Sequence, residues 1–214
     1  MKPIFFDLDG TLIDSKLDIA NSVNSALKHF NLLPIKNEKI YEFVGTGVKQ
    51  LLIDCLTLQN KMDVFDDFFD YFLNYYYNHL LDNTVLYDGV EDVLNNLYKK
   101  YELFIVTNKS EVFAYKVVEG LNIGDYFKDI VGGDTYKNKK PHPEQILQLA
   151  KRYKLNIDNS MLVGDSESDI MAAKSANLKI AWASYGFRNK NILQHYDVDF
   201  IIKKPKDILD IVDF

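Results

Sequence analysis

The spacing of apolar residues changes twice along the chain, and those changes divide it. Residues 2–6 hold Ile4, Phe5 and Phe6 in unbroken succession, the pattern of a strand buried on both faces. From 15 to 83 the spacing is helical throughout. Leu17, Ala20, Val23, Asn24 and Leu27 mark one helix face, with Asp14 or Ser15 available as the N-cap. A break at 31–36 contains Pro34. Further helices are predicted over 38–43, over 48–58 after Gly45-Thr46-Gly47, and over the aromatic-rich segment 64–81. Beyond Leu86 the pattern changes again. Asp88 and Glu91 form a capping-box-like pair opening a helix to about 100. Apolar strands at 103–106, 129–131, 161–163, 179–183 and 200–202 then alternate with helices at 111–121, 143–153, 169–176 and 205–212.

Buried strands alternating with helices predict an α/β fold, a Rossmann-like parallel sheet with helices on both faces. The all-helical block 15–83, inserted after the first strand, reads as a separate helical subdomain. Residues 1–14 and 84–214 then make up the α/β core domain.

Composition narrows this picture without redirecting it. The chain has 214 residues, enough for one good-sized core with a smaller attached unit. A net charge of -6 argues against a general nucleic-acid binder. No apolar run approaches the roughly 20 residues that span a bilayer, and no cleavable leader is evident, so neither a membrane nor an exported location is expected. The single cysteine, Cys55, sits at helical spacing with Val48, Leu51, Leu52 and Leu56 and reads as a core thiol. A reducing cytoplasm fits this usage.

The candidate chemistry lies where strands end, because ligands of open parallel sheets bind beyond the carboxyl ends of the strands. After the first strand come Asp7 and Asp9, then Gly10 and Thr11. Each acid would raise the other's pKa unless a cation sat between them, and a hard divalent ion, Mg²⁺, suits oxygen ligands. After 103–106 come Thr107 and Asn108, a hydroxyl and backbone N–H groups suited to a phosphate oxygen. After 129–131 the chain reaches Lys140, whose ammonium can neutralise both a phosphate and a carboxylate. After 161–163 come Gly164, Asp165, Ser166 and, one helical turn on, Asp169. Taken singly, each has a plainer reading, as a polar turn or an acidic helix start. Together they bring several acids, a lysine and a threonine to one edge of the sheet.

In that order the motifs Asp7-x-Asp9-Gly-Thr, Thr107, Lys140 and Gly164-Asp165-x3-Asp169 resemble those of the haloacid dehalogenase superfamily. The helical block falls where members with a small helical cap carry it. The resemblance implies a Mg²⁺-dependent phosphatase with Asp7 as nucleophile and Asp9 as general acid and base. It implies that Asp7, the Asp9 carbonyl and Asp165 ligate the metal, that Thr107 and Lys140 hold the phosphoryl group, and that Asp169 and Ser166 support them from behind.

Several strings are closer still to the phosphoglycolate phosphatase family: Val106-Thr107-Asn108-Lys109, Gly132-Gly133-Asp134-Thr135 with Lys-Lys-Pro-His-Pro, and Ser184-Tyr185-Gly186. That resemblance implies a small phosphorylated metabolite as partner, with Gly45, Thr46 and Lys49 of the cap loop and Asn108 contacting it. Nucleotides, pyrophosphate or sugar phosphates remain alternatives, as does a β-phosphoglucomutase-like isomerase. One tyrosine of the 71–77 stretch could face the substrate. A monomer and a homodimer are equally compatible with the sequence.

Overall fold

The computed structural model describes residues 1–158, 160–188 and 190–212. Its main sheet has six parallel strands: β1 (Lys2–Phe6), β4 (Tyr101–Val106), β5 (Phe127–Val131), β6 (Met161–Gly164), β7 (Lys179–Ala183) and β8 (Phe200–Ile202), in the order β5-β4-β1-β6-β7-β8. The first strand is central. It pairs with β4 from Lys2↔Tyr101 to Phe6↔Ile105, and with β6 from Ile4↔Met161 to Phe6↔Val163. This register sets the strand ends side by side, so Asp7 leaves the sheet between Thr107 and Asp165.

Successive residues of a strand point to opposite faces, and that alternation builds two cores. Phe5, Phe104, Val106, Leu162 and Trp182 pack with Ile146 and Leu149 of α7 (Glu144–Tyr153) and Ile170 of α8 (Glu167–Ser175). Ile4, Phe6, Leu103, Ile105 and Val163 face the other way, onto α5 (Val90–Leu97) and α6 (Glu111–Gly120). This second core runs on into the inserted helices α1 (Lys16–His29), α2 (Asn37–Tyr41), α3 (Val48–Leu58) and α4 (Phe65–His79) through Leu27, Ile40, Leu52, Phe68 and Phe72. Cys55 is fully buried there, and burial pushes its thiol up to about 12.

Three local expectations need correction. Asp88 is exposed and does not cap α5. Gly89 does, at a φ of 86°, which a residue without Cβ adopts freely. Ser15 precedes α1, but its hydroxyl is drawn to Asp9 Oδ1 at 2.5 Å and caps nothing. The last helix shortens to a 3-10 segment, Pro205–Asp210.

The chain leaves the core and returns to it through a ribbon the sequence did not announce. Ile13–Asp14 (β2) and Val85–Leu86 (β3) pair antiparallel, Asp14 opposite Val85. Next to the ribbon, Asp18 of α1 is buried and stitches the two stems together. Its Oδ2 accepts from the backbone N–H groups of Asn83 and Thr84 and from the Thr84 hydroxyl, all within 2.9 Å, and its Oδ1 accepts from Asn83 Nδ2 at 2.8 Å. Asp18→Ala leaves these donors without their acceptor, so chemical denaturation should show a loss of about 2–4 kcal/mol. A loss below about 0.5 kcal/mol, the range of ordinary surface changes, would mean the stems hold without the clasp.

Candidate active site

The site is assembled by strand ends and glycine turns. The Asp7 N–H donates to Val163 O at 2.8 Å, which extends the β1–β6 ladder by one step and fixes Asp7 at the sheet edge. Gly10 turns the chain at a φ of 84°; a Cβ there would lie 2.5 Å from Asp165 Oδ2. Gly164 gives the same room to Asp169, whose Cγ would lie 2.4 Å from a Cβ. These close approaches are what the glycines of the two acidic motifs allow.

Lys140 sits between two acids, its Nζ 2.9 Å from Asp7 Oδ1 and 2.6 Å from Asp169 Oδ1. All three side chains are buried. Burial, and after it the Asp169 carboxylate, pushes Asp7 up to about 7; Lys140 pulls it down and Asp9 adds the smallest push. Burial also drives Asp165 well above the usual carboxylate range, with Asp169 and Asp7 adding to it. The Lys140 ammonium is disfavoured by burial, yet Asp169 and Asp7 outweigh that and hold its pKa above the usual lysine value. The sequence suggests Asp9 as the main source of conflict for Asp7. The structure gives that part to Asp169.

A cavity of about 50 Å³ opens beside Asp7 and Asp9, between the sheet edge and the inserted helices. Core residues Thr107, Asn108, Lys109, Ser110 and Phe113 line one side. The inserted block supplies Val44, Gly45, Val48, Leu51, Phe72 and Tyr76. Residues 4–183 match the family of haloacid dehalogenase-like hydrolases. The chain belongs to that family.

Relatives and solved structures agree with the match over nearly the whole chain. A phosphoglycolate phosphatase of Pseudomonas fluorescens strain Pf-5 is 36% identical over 87% of this chain and 70% of its own length. One from Aquifex aeolicus is 34% identical, covering 100% of this chain and 97% of its own. The crystal structure of a predicted phosphoglycolate phosphatase from Haemophilus somnus 129pt superposes with a TM-score of 0.91 at 34% identity, covering 99% of this chain and 97% of that one.

The donor set of this haloacid dehalogenase-like hydrolase suits a divalent metal ion. One oxygen each from Asp7, Asp165 and Asp169 lies within 4.8 Å of the others, and the Lys140 ammonium pairs with two of these three buried carboxylates. Asp7 Oδ1 is buried and, despite its ion pair with Lys140, makes no hydrogen bond of good geometry. The three acids are not equally available. Asp169 spends Oδ1 on Lys140, and its Oδ2 accepts from the Ser166 N–H at 3.0 Å and hydroxyl at 2.6 Å. The capping box with Ser166 therefore holds Asp169 towards Lys140. Asp165 accepts from the Phe187 N–H on Oδ2 at 2.7 Å, which leaves its Oδ1 for a cation.

The other expected residues fall out unevenly. Thr107 lines the cavity, and its Oγ1 accepts from the Lys109 N–H at 3.2 Å. Asn108 also lines it, but its Nδ2 is committed to Gly45 O at 2.9 Å and Lys140 O at 3.0 Å. It therefore joins the inserted loop to the core. Gly45 reaches the cavity. Thr46 and Lys49 do not, and Lys49 is exposed, because α3 turns Leu51, Leu52, Cys55 and Leu56 inward.

Two contributors, Gln145 and Lys109, went unread in the sequence, and a third was foreseen only as one tyrosine of the 71–77 stretch. Buried Gln145, in the first turn of α7, donates from Nε2 to Thr107 O (3.1 Å) and Gly132 O (2.7 Å) and accepts from the Lys140 N–H (3.1 Å). One amide thus ties the loop after β4 to both ends of the loop after β5. Buried Lys109 pairs with Asp9 at 2.8 Å and donates to the Tyr76 hydroxyl at 2.7 Å. Tyr76 is the tyrosine of the 71–77 stretch that lines the cavity.

Proposed function

We propose that this hydrolase is a Mg²⁺-dependent phosphatase that cleaves 2-phosphoglycolate through an aspartyl-phosphate on Asp7. The observation that carries the reading is the contrast between the two acids at the cavity. Asp7 pairs with Lys140 in the acidic cluster, while Asp9 pairs with Lys109 and accepts from Ser15 at the start of the inserted block, the side on which a leaving group would lie. The names of the relatives support the choice of substrate.

In the proposed reaction an Asp7 carboxylate oxygen attacks phosphorus as the bond from phosphorus to the ester oxygen breaks. Asp9 gives a proton to the departing oxygen. Asp9 then takes a proton from the water that attacks the aspartyl-phosphate, and inorganic phosphate leaves as Asp7 is regenerated. Lys140 and the Thr107 hydroxyl hold the equatorial phosphoryl oxygens, the electrostatic stabilisation such transfers depend on. Asp169 keeps Lys140 aimed at Asp7. The Asp7 and Asp165 carboxylates and the Asp9 carbonyl would hold Mg²⁺, which when bound offsets the repulsion between Asp7 and the substrate's phosphate.

In this reading residues 15–83 are a cap over a core formed by 1–14 and 84–214, and closure of the cap excludes water. The cytoplasm is the proposed location, since one buried unpaired cysteine suits a reducing compartment. Among the described residues, none of those the inserted block places on the cavity is a cation, and a phosphomutase would need one there for a second phosphate.

The reading is tested by assaying the purified enzyme with Mg²⁺ on 2-phosphoglycolate, pyrophosphate, nucleoside monophosphates and hexose phosphates. The expected result is the highest kcat/KM on 2-phosphoglycolate. A nucleotide preference with 2-phosphoglycolate near background would overturn it.

A further inference from the structure

We infer that Lys109, together with the Tyr76 hydroxyl, is the specificity site that reads a carboxylate on the leaving group. The inference rests on the phosphoglycolate reading and names the residues that would enforce it.

The leaving side of the cavity is largely apolar. Ile19, Val44, Val48, Leu51, Phe72 and Phe113 cover most of it. Among the described residues lining the cavity, Lys109 is the one cation. Burying a carboxylate against such walls without a partner is strongly unfavourable, so an anionic leaving group binds only where a cation already waits. The Lys109 side chain is 4% exposed, and its Nζ lies 2.8 and 3.0 Å from the two Asp9 oxygens.

Position makes this ammonium specific for a short acid. In the proposed reaction Asp9 serves the ester oxygen, and in 2-phosphoglycolate the carboxylate begins one methylene beyond that oxygen. A group that bonds Asp9 directly is thus the nearest cation to the substrate's second anion. Tyr76 adds a second donor from the inserted block. Its hydroxyl accepts from Lys109 at 2.7 Å, and no hydrogen bond among the described residues uses the hydroxyl's own proton. The Tyr76 side chain is buried and lines the cavity. Lys109 Nζ also sits 5.0 Å from the centre of the Tyr76 ring, so the ring holds the ammonium in place from one side.

Ethyl phosphate carries the same two-carbon chain without the carboxylate, so the ratio of kcat/KM for 2-phosphoglycolate over ethyl phosphate isolates the reading of that group. Any effect of Lys109 on Asp9 alone falls on both substrates and cancels. The wild type should favour 2-phosphoglycolate. Lys109→Met should lower the ratio on the order of 100-fold, the scale of a lost charge-assisted hydrogen bond. Tyr76→Phe, which removes one oxygen from a preserved ring, should lower it about 10-fold and carries the test if Lys109→Met fails to fold. Equal losses on both substrates in Lys109→Met, or an unchanged ratio in Tyr76→Phe, would overturn the inference while leaving the phosphatase reading intact. A wild type with no preference would remove the phosphoglycolate reading, and this one with it.

Discussion

Asp7→Asn should lower turnover by roughly 10⁴-fold or more, the scale on which loss of a covalent nucleophile is felt, and leave a folded protein. An amide is a poor nucleophile towards phosphorus, so no covalent intermediate should accumulate. The fold has reason to survive. Asp7 is buried beside the acidic cluster, and its charge is disfavoured there, as its pKa near 7 records. A neutral side chain of the same shape relieves that conflict, and Lys140 keeps its 2.6 Å contact with Asp169. The melting temperature should therefore stay within a few degrees, where 1 kcal/mol corresponds to about 2–4 °C. Retention of more than about 1% of wild-type turnover would remove Asp7 from the nucleophile's role.

Removal of the metal should be nearly as damaging. Excess chelator is expected to bring hydrolysis to background, with Mg²⁺ restoring it. The same acids make the response of stability to metal depend on pH. In protein stripped of metal, Asp7 titrates at about 7 against an ordinary value of 3.8. The folded state thus holds this proton more tightly than the unfolded one. That contribution is complete below the unfolded value and is lost as pH rises through about 7. A bound cation supplies the missing positive charge, and it competes with the proton for the same oxygens. The rise in melting temperature on adding Mg²⁺ should grow between about pH 5.5 and about pH 8. A rise of equal size at both would show that carboxylates of raised pKa are not what holds the ion.

Much of this could be read in the sequence, and the reasons are local. Most strands of the sheet declare themselves through runs of apolar residues, and Asp7, Thr107 and Asp165 follow such runs within two positions, whereas Lys140 comes nine positions after the short Ile130-Val131 run of β5. What escaped reading depends on partners far along the chain. Lys109 meets Asp9 across 100 positions and Tyr76 across 33, and neither periodicity nor a short motif carries that information. The β2–β3 ribbon is two residues per strand, too short for any period to appear. Asp18 shows the opposite failure. Helical spacing puts Leu17 on the inward face of α1, yet Leu17 is 39% exposed and Asp18 is 2% exposed. The donors at Asn83 and Thr84 draw the acid inward, and nothing within α1 records them.

The two stems of the inserted block have one more consequence. Asp14 and Val85 are direct neighbours across the β2–β3 ribbon, so to the sheet the whole run between them is a hairpin loop. Loop length weighs little once the ends are fixed, since each doubling adds only about 0.6 kcal/mol of closure entropy. Chain closure thus sets little limit on how many residues the loop holds, and what ties its contents to the sheet is the shared apolar core and the bonds from Asn108 to Gly45 and from Lys109 to Tyr76. The length of the inserted block can therefore change at little entropic cost while Asp7 and Asp165 stay at the ends of their strands.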